Sequence, residues 1–188
     1  MPLYGLERKL FFFLHGYNLP GINQLMVFFS GFGPWLPLAA LLLWKIWRNV
    51  ARQDFFRLVI LCLLLLALVD TSTSYFFKNL IQRLRPCKME ELKPLLAQFG
   101  QGCGGKWGFF SSHAANAAAL VHFLLAFARP KKWLTVTTWL VVGIVAYSRV
   151  YLGVHLPLDI IVGLAWGLML ASAWRWVGKM SIKGRGAL

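Results

Sequence analysis

Long apolar stretches constrain the fold of this chain more than any other feature. Five of them cover residues 22–47, 55–77, 109–128, 133–151 and 156–177. A helix crosses the hydrocarbon core of a bilayer with ~20 apolar residues. Inside lipid the backbone has no water to bond, so such segments must be helical. We therefore predict an all-α integral membrane bundle of five transmembrane helices.

Composition agrees with one membrane-embedded unit. Of the 188 residues, 59% are hydrophobic, against about 45–50% in soluble domains. A bundle of five helices uses the whole length, so residues 1–188 are predicted to form a single domain. Ahead of the spans, apolar residues recur at helical spacing in residues 3–17, which predicts an N-terminal interfacial helix. We interpret it as mature protein, because "LHGYNLPG" is a poor signal-peptide cleavage site.

The basic residues predict an orientation. A formal charge of +14 would suit nucleic acid, but membrane proteins concentrate Lys and Arg in cytoplasmic loops, so we predict no nucleic-acid partner. Nine of the 20 basic residues lie on one face. The other eleven lie on the face that we expect in the cytoplasm: Lys45, Arg48, Arg52, Arg57, Arg129, Lys131, Lys132, Arg175, Lys179, Lys183 and Arg185.

Three span ends on the opposite, outer face carry polar residues. Lys78 and Arg85 are seven residues apart, so in a helix ended by Pro86 they would point the same way, about 10 Å apart along the axis. The third span begins with Ser111, Ser112 and His113. Free amides at a helix N-terminus bind anions, and the serine hydroxyls add donors.

The third cluster is "SRVYLGVHLPLD", ahead of the last span. Asp159 follows His155 by four residues and is predicted to hold one imidazole nitrogen. Arg149 would join Lys78 and Arg85 in neutralising a tetrahedral dianion such as phosphate. His155 suits a nucleophile on phosphorus, and His113 suits the acid that protonates the leaving oxygen.

These motifs resemble the type 2 phosphatidic acid phosphatase family, integral-membrane lipid phosphatases related to vanadium haloperoxidases and bacterial acid phosphatases. The signature Lys, six residues, Arg-Pro is complete in Lys78, Arg85 and Pro86. The signature Ser-Arg, five residues, His, three residues, Asp is complete in Ser148, Arg149, His155 and Asp159. The signature Pro-Ser-Gly-His reads Phe110, Ser111, Ser112 and His113, so it departs at the Pro and the Gly.

The resemblance implies a phosphohistidine at His155, His113 as acid and then base, and Asp159 supporting His155. It implies that phosphate is bound by Lys78, Arg85, Ser111, Ser112 and Arg149. It also implies no metal and no other cofactor. The expected partners are the bilayer and a phosphorylated lipid, and the sequence leaves open which protein partners the chain has.

We therefore expect a phosphatase acting on a phosphate or pyrophosphate monoester of an envelope lipid at the outer leaflet. Candidates are lipid A 1-phosphate, undecaprenyl pyrophosphate, phosphatidylglycerophosphate and phosphatidic acid. The predicted location is the bacterial inner membrane, with the active site facing the periplasm. Two alternatives stay open: a lipid phosphotransferase, and a non-enzymatic lipid-binding or flipping protein.

Several residues allow two interpretations. Cys87 and Cys103 lie in the outer loop, where we expect a disulfide rather than two free thiols, while Cys62 suits the core. Asp70 either supports Lys78 or bonds a neighbouring helix. The outer-face cations either read a lipid headgroup or are simply solvated: Arg83, Lys88, Lys93 and Lys106.

Overall fold

The computed structural model describes residues 2–15, 20–31, 33–93, 96 and 103–182. Its helices are α1 (Pro2–Leu14), α2 (Pro20–Ser30), α3 (Trp35–Asn49), α4 (Arg52–Thr71), α5 (Lys78–Ile81), α6 (Ser112–Ala128), α7 (Lys132–Tyr151) and α8 (Pro157–Ser181). A π-helical turn, Ser72–Phe77, joins α4 to α5, and a 3₁₀ turn covers Pro86–Lys88. The described residues contain no β-strand beyond one isolated bridge between Leu84 and Trp107.

The all-α membrane architecture is confirmed, whereas the count of five spans stays a prediction. Within the described ranges, three segments are long and apolar enough to cross a bilayer: Arg52–Ile81, α7 and α8. Helices α2 and α3 together pass the same test, but they are bent by 43° at the break between them. Residues 22–47 are therefore two helices rather than one, because Pro34 cannot donate a backbone hydrogen bond and Gly33 lowers the cost of a break. Helix α6 is shorter, with 17 residues.

Helix α6 lies at the centre of the bundle, against α3, α4, α7 and α8. Its small side chains let α8 approach very closely. A Cβ atom on Gly167 would lie 2.1 Å from the carbonyl oxygen of Ala115, and one on Gly163 would lie 2.7 Å from that of Ser111. Glycine is thus required at both positions, and this contact fixes the start of α8 beside the start of α6.

The predicted N-terminal helix is present as α1, while its place at a membrane interface stays a prediction. Phe11 is fully buried in a cluster with Ala114, Val150 and Ile160, so α1 packs on α7 and α8. Phe13 on the same helix is 80% exposed. The end of the predicted segment, including Tyr17, lies outside the described residues, as do Lys183 and Arg185.

Candidate active site

The three polar span ends converge at one end of the bundle. The Ser111 amide donates to the carbonyl oxygen of Asp159 at 3.0 Å, which joins the start of α6 to the start of α8. The His155 amide donates to the carbonyl oxygen of Arg149 at 3.1 Å, which folds the α7–α8 loop back on α7. Gly108 lies between the side chains of Arg85 and Asp159, and so brings the third segment to the other two. A Cβ atom there would be 3.2 Å from Arg85 Cγ and 3.3 Å from Asp159 Oδ2.

His155 and Asp159 form the buried centre of the cluster. Asp159 Oδ2 lies 3.5 Å from His155 Nδ1 and accepts a hydrogen bond from the Leu156 amide at 2.9 Å. The histidine contact is not a formed hydrogen bond, and no described residue bonds that nitrogen. Side-chain exposure is 1% for His155 and 0% for Asp159.

Burial lowers the pKa of His155 to about 4. The neighbouring Asp159 carboxylate opposes this shift of the pKa, and the positive charges of Arg85 and Arg149 reinforce it. The imidazole is therefore neutral at neutral pH, which is the protonation state in which a histidine nitrogen is a nucleophile.

Ser112 is the centre of a hydroxyl network on the α4 side of the site. Its Oγ accepts from Lys78 Nζ at 2.8 Å and from Thr73 Oγ1 at 2.8 Å, and it lies 3.1 Å from Ser74 Oγ. Thr73 and Ser74 belong to the π-helical turn, a local widening of the helix that often marks functional sites. The sequence analysis assigned neither residue to the site, because the apolar pattern of the segment does not reveal where a helix widens.

The expected helical placement of Arg85 is wrong. Helix α5 ends at Ile81, and Gln82 adopts a left-handed conformation (φ 49°) that turns the chain out of the helix. Leu84 then pairs with Trp107, so Lys78 and Arg85 do not share one helix face. Arg85 reaches the site from this extended segment, with Nε donating to the carbonyl oxygen of Trp107 at 3.2 Å.

Arg85 nevertheless reaches the candidate site, where it is buried beside Asp159. Its Nη1 donates to the carbonyl oxygen of Cys103 at 3.0 Å. Burial lowers the pKa of its guanidinium, and Asp159 partly offsets that change in pKa.

The remaining predicted residues also reach this end of the bundle. Ser111 is the N-cap of α6, and its Oγ accepts from the Ala114 amide at 3.4 Å. His113 follows in the first turn, is exposed, and interacts electrostatically with His155 and Arg149. Arg149 is buried and donates to Ser30 Oγ on α2.

Arg83 is a site residue that the sequence analysis did not recognise. Its Nη1 donates to Asp159 Oδ1 at 3.0 Å, and its Nη2 pairs with Glu7 Oε2 on α1. Its side chain is 17% exposed, so it is neither a solvated cation nor free to read a headgroup. The sequence gives only a weak indication of this role. The chain has six acidic residues, and a cation that becomes buried needs one of them as its partner.

The side chains of the other described polar residues make no contact with His155 or Asp159. Asp70 accepts from Asn116 Nδ2 on α6 at 3.2 Å and also interacts electrostatically with Lys78, so each of its two interpretations has a contact behind it. His122 contacts Ser172 Oγ at 3.1 Å, further along α6. Lys88, Lys93 and Lys106 are exposed, and Lys106 Nζ lies 4.6 Å from the centre of the Trp107 ring.

Cys87 and Cys103 form a disulfide bond, with their Cα atoms 6.1 Å apart. Cys87 lies in the 3₁₀ turn that follows Arg85, and Cys103 supplies a carbonyl acceptor to the same arginine. The bond therefore joins the two segments that hold Arg85. Cys62 is a free thiol in the core.

Comparison with known proteins agrees with this geometry. The family model of the PAP2 superfamily matches residues 57–183. The chain belongs to the PAP2 superfamily. The family resemblance drawn from the sequence is thus confirmed, and the coarse function follows: a membrane phosphatase of the lipid phosphatase type.

Named relatives of this PAP2 protein act on different lipids. A lipid A 4'-phosphatase of Porphyromonas gingivalis is 32% identical over 165 residues, which cover 88% of this chain and 70% of that one. An undecaprenyl-diphosphatase of Sulfolobus acidocaldarius is 29% identical over 182 residues, covering 95% and 78%. The crystal structure of a transmembrane PAP2-type phosphatidylglycerolphosphate phosphatase from Bacillus subtilis has the same fold, with a TM-score of 0.72 over 98% of this chain and 90% of that one, at 22% identity.

Proposed function

We propose that this chain hydrolyses a phosphate or pyrophosphate monoester of a membrane lipid through a phosphohistidine at His155. The observation that carries the proposal is a buried, neutral imidazole beside Asp159. The proposed phosphate-binding cations Lys78, Arg85 and Arg149 converge on it. Recognition alone does not call for a desolvated histidine beside a carboxylate, whereas this arrangement suits a histidine that attacks phosphorus, because it keeps the ring neutral and oriented. This favours an enzyme over a lipid-binding or flipping protein.

In the first step, the Nε2 lone pair of His155 attacks phosphorus, because Nδ1 faces Asp159. The bond between phosphorus and the lipid oxygen breaks, and His113 gives its proton to that oxygen. Catalytic contacts are commonly long in substrate-free enzymes and shorten in the complex. We expect the 3.5 Å contact between Nδ1 and Asp159 to become a hydrogen bond as charge develops on the ring.

In the second step, His113 takes a proton from a water molecule that attacks the phosphohistidine. The phosphorus–nitrogen bond breaks, inorganic phosphate leaves, and both histidines return to their starting state. The five-coordinate phosphorus carries more negative charge on its equatorial oxygens than the substrate does, so cations placed around it stabilise the transition state. In this proposal its binding groups are Lys78, Arg85, Arg149, Ser111, Ser112 and the free amides of the first turn of α6.

The proposed substrates are envelope lipids with a terminal phosphate: lipid A, undecaprenyl pyrophosphate, phosphatidylglycerophosphate and phosphatidic acid. The names of the relatives support this class of substrate, but they refer to different lipids and so do not identify one of them as the substrate of this chain. The proposed location is the bacterial inner membrane, with the site facing the periplasm. Two features support that orientation: a disulfide beside the site suits an oxidising compartment, and Arg129, Arg175 and Lys179 line one hollow at the other end of α6 and α8.

A panel assay tests the function. Purified protein in detergent is given each candidate lipid, with lipid A labelled separately at its 1- and 4'-phosphates, and released phosphate is measured. His155→Ala is the inactive control. Phosphate release from at least one lipid, with ³²P trapped on the wild-type protein after acid-free quenching, is the expected result. A labelled phosphoryl group found on a second lipid instead of in solution would show a phosphotransferase, and no turnover of any lipid would refute the proposal.

Orientation is tested separately with single cysteines at two exposed positions. A membrane-impermeant maleimide should label Glu90→Cys in intact spheroplasts, whereas Lys132→Cys should react only after lysis. The opposite pattern would place the site in the cytoplasm.

A further inference from the structure

Arg83 connects the N-terminal helix to the centre of the site. One guanidinium bridges two carboxylates that are far apart in sequence, with Nη1 on Asp159 Oδ1 at 3.0 Å and Nη2 on Glu7 Oε2. Glu7 uses its other oxygen to accept from the Leu158 amide at 3.0 Å. That amide belongs to the first turn of α8, where backbone donors lack intrahelical partners. Glu7 on α1 therefore caps the helix that carries Asp159.

The chain of contacts is partly buried and ends on a fully buried carboxylate, which makes its members costly to remove. Side-chain exposure is 12% for Glu7, 17% for Arg83 and 0% for Asp159. A buried carboxylate that loses its cation is left uncompensated, so it either takes up a proton or rotates toward another partner. An arginine suits this position better than a lysine, because its planar fork donates to two carboxylates at once.

The two oxygens of Asp159 have separate partners. Oδ1 faces Arg83, while Oδ2 faces the Leu156 amide and His155 Nδ1. The terminal torsion of an aspartate is broad, so the carboxylate plane is not fixed by its own rotamer preference. With Arg83 holding Oδ1, the plane is set and Oδ2 is left directed at the imidazole.

We infer that Arg83 is a positioning residue for phosphoryl transfer, which orients Asp159 toward His155, and that Glu7 makes helix α1 part of the active site. This inference rests on the phosphatase function proposed above. It differs from a packing role for the same contacts, because packing would affect stability and leave the turnover of folded protein unchanged.

The chain offers a matched control on the same helix. Arg8, adjacent to Glu7, pairs with Glu91 at 3.1 Å and also joins α1 to the outer loop. Its side chain is 37% exposed and that of Glu91 is 70% exposed, and the pair does not contact Asp159. Arg8→Gln thus removes a second ion pair of α1 without touching the site.

The test compares Arg83→Gln, Arg83→Lys, Glu7→Gln and Arg8→Gln with wild type, using kcat and KM on whichever lipid the panel identifies and the thermal midpoint of each variant. We expect Arg83→Gln to lower kcat about 10- to 100-fold, the range typical of residues that orient a catalytic ligand, with KM within about twofold. Arg83→Lys should retain more activity than Arg83→Gln but less than a third of wild type. Glu7→Gln should lower kcat by a smaller factor, and Arg8→Gln should leave kcat unchanged.

A double-variant experiment separates positioning from packing. If Arg83 acts through Asp159, then Arg83→Gln should lower kcat by less than about twofold when Asp159 is already Asn. Equal losses in the two backgrounds, or wild-type kcat in Arg83→Gln, would overturn the inference. If Arg83→Gln does not fold, Arg83→Lys decides alone, and full kcat in that variant would refute positioning. Absence of turnover in wild-type protein would instead refute the phosphatase function.

Discussion

Removing the Cys87–Cys103 disulfide should weaken both the fold and substrate binding. The bond joins positions 16 residues apart. For a closed loop of this length the chain-entropy estimate is ~3 kcal/mol of stability. That figure is an upper bound here, because α4 and α6 stay in the membrane when tertiary contacts are lost, and the two loop ends are then already close.

The functional effect follows from Arg85. Cys103 supplies the carbonyl that accepts from Arg85 Nη1, and Cys87 follows Arg85 by two residues. One acceptor of the guanidinium and the backbone next to Arg85 therefore lie at the bond, while Nε keeps its acceptor on Trp107. Loosening its placement by about 1 kcal/mol would raise KM about fivefold. The histidines and Asp159 are not attached to this loop, so any loss of kcat should come from the weaker transition-state contact of Arg85 alone and stay within about fivefold.

The assay uses a Cys87→Ser/Cys103→Ser double variant beside wild type, each with and without reductant. On reduction, the wild-type protein should show a lower thermal midpoint and a higher KM. The double variant should show both changes without reductant, and reductant should change neither value further. Before reduction, a thiol label should react with Cys62 alone in the denatured wild-type protein. Three reactive thiols, or a double variant with the KM and thermal midpoint of wild type, would refute the reasoning.

The remaining predictions concern the histidines and the chemistry. His155→Ala should abolish turnover and His113→Ala should retain under about a tenth of it, with Asp159→Asn less severe, as measured by phosphate release from folded protein. Vanadate should inhibit, because it mimics five-coordinate phosphorus, while EDTA should leave the rate unchanged; restoration of an EDTA-treated sample by a divalent cation would contradict a metal-free mechanism. The folded protein keeps His155 neutral, since its pKa lies at about 4, whereas the unfolded chain binds that proton near 6.5. Stability is therefore lost as pH falls from about 6.5 toward 4, by up to about 3 kcal/mol, and thermal unfolding of His155→Asn should be less sensitive to pH over that range.

Sequence reasoning succeeded where the physical signal is local. Apolar length predicts the α4, α7 and α8 spans, and the four-residue spacing predicts that Asp159, in the first turn of α8, reaches back to His155 in the loop ahead of that helix. It failed where the backbone leaves the regular helix. The left-handed Gln82 ends α5 early and moves Arg85 onto an extended segment, and glutamine gives no indication of that turn.

Long-range pairing was equally inaccessible from the sequence. Arg83 and Glu7 are 76 residues apart, and no periodic pattern relates them. Their contact depends on how α1 packs on α7 and α8, which is decided by the burial of Phe11 rather than by either charged residue. Predicting it would require the tertiary packing first.

The departure of this chain from the Pro-Ser-Gly-His signature has a structural counterpart on α4. Ser112 stands where the signature has glycine, and its hydroxyl would be a desolvated polar group at the start of α6 if it had no partners. The π-helical turn supplies those partners, because it brings the hydroxyls of both Thr73 and Ser74 to within 3.1 Å of Ser112 Oγ. Lys78 donates to the same oxygen, so in the substrate-free protein the ammonium rests on Ser112. In the proposed mechanism, an oxygen of the incoming phosphate replaces that hydroxyl as the acceptor. Ser112 would then hold Lys78 in position before the substrate arrives rather than obstruct phosphate binding.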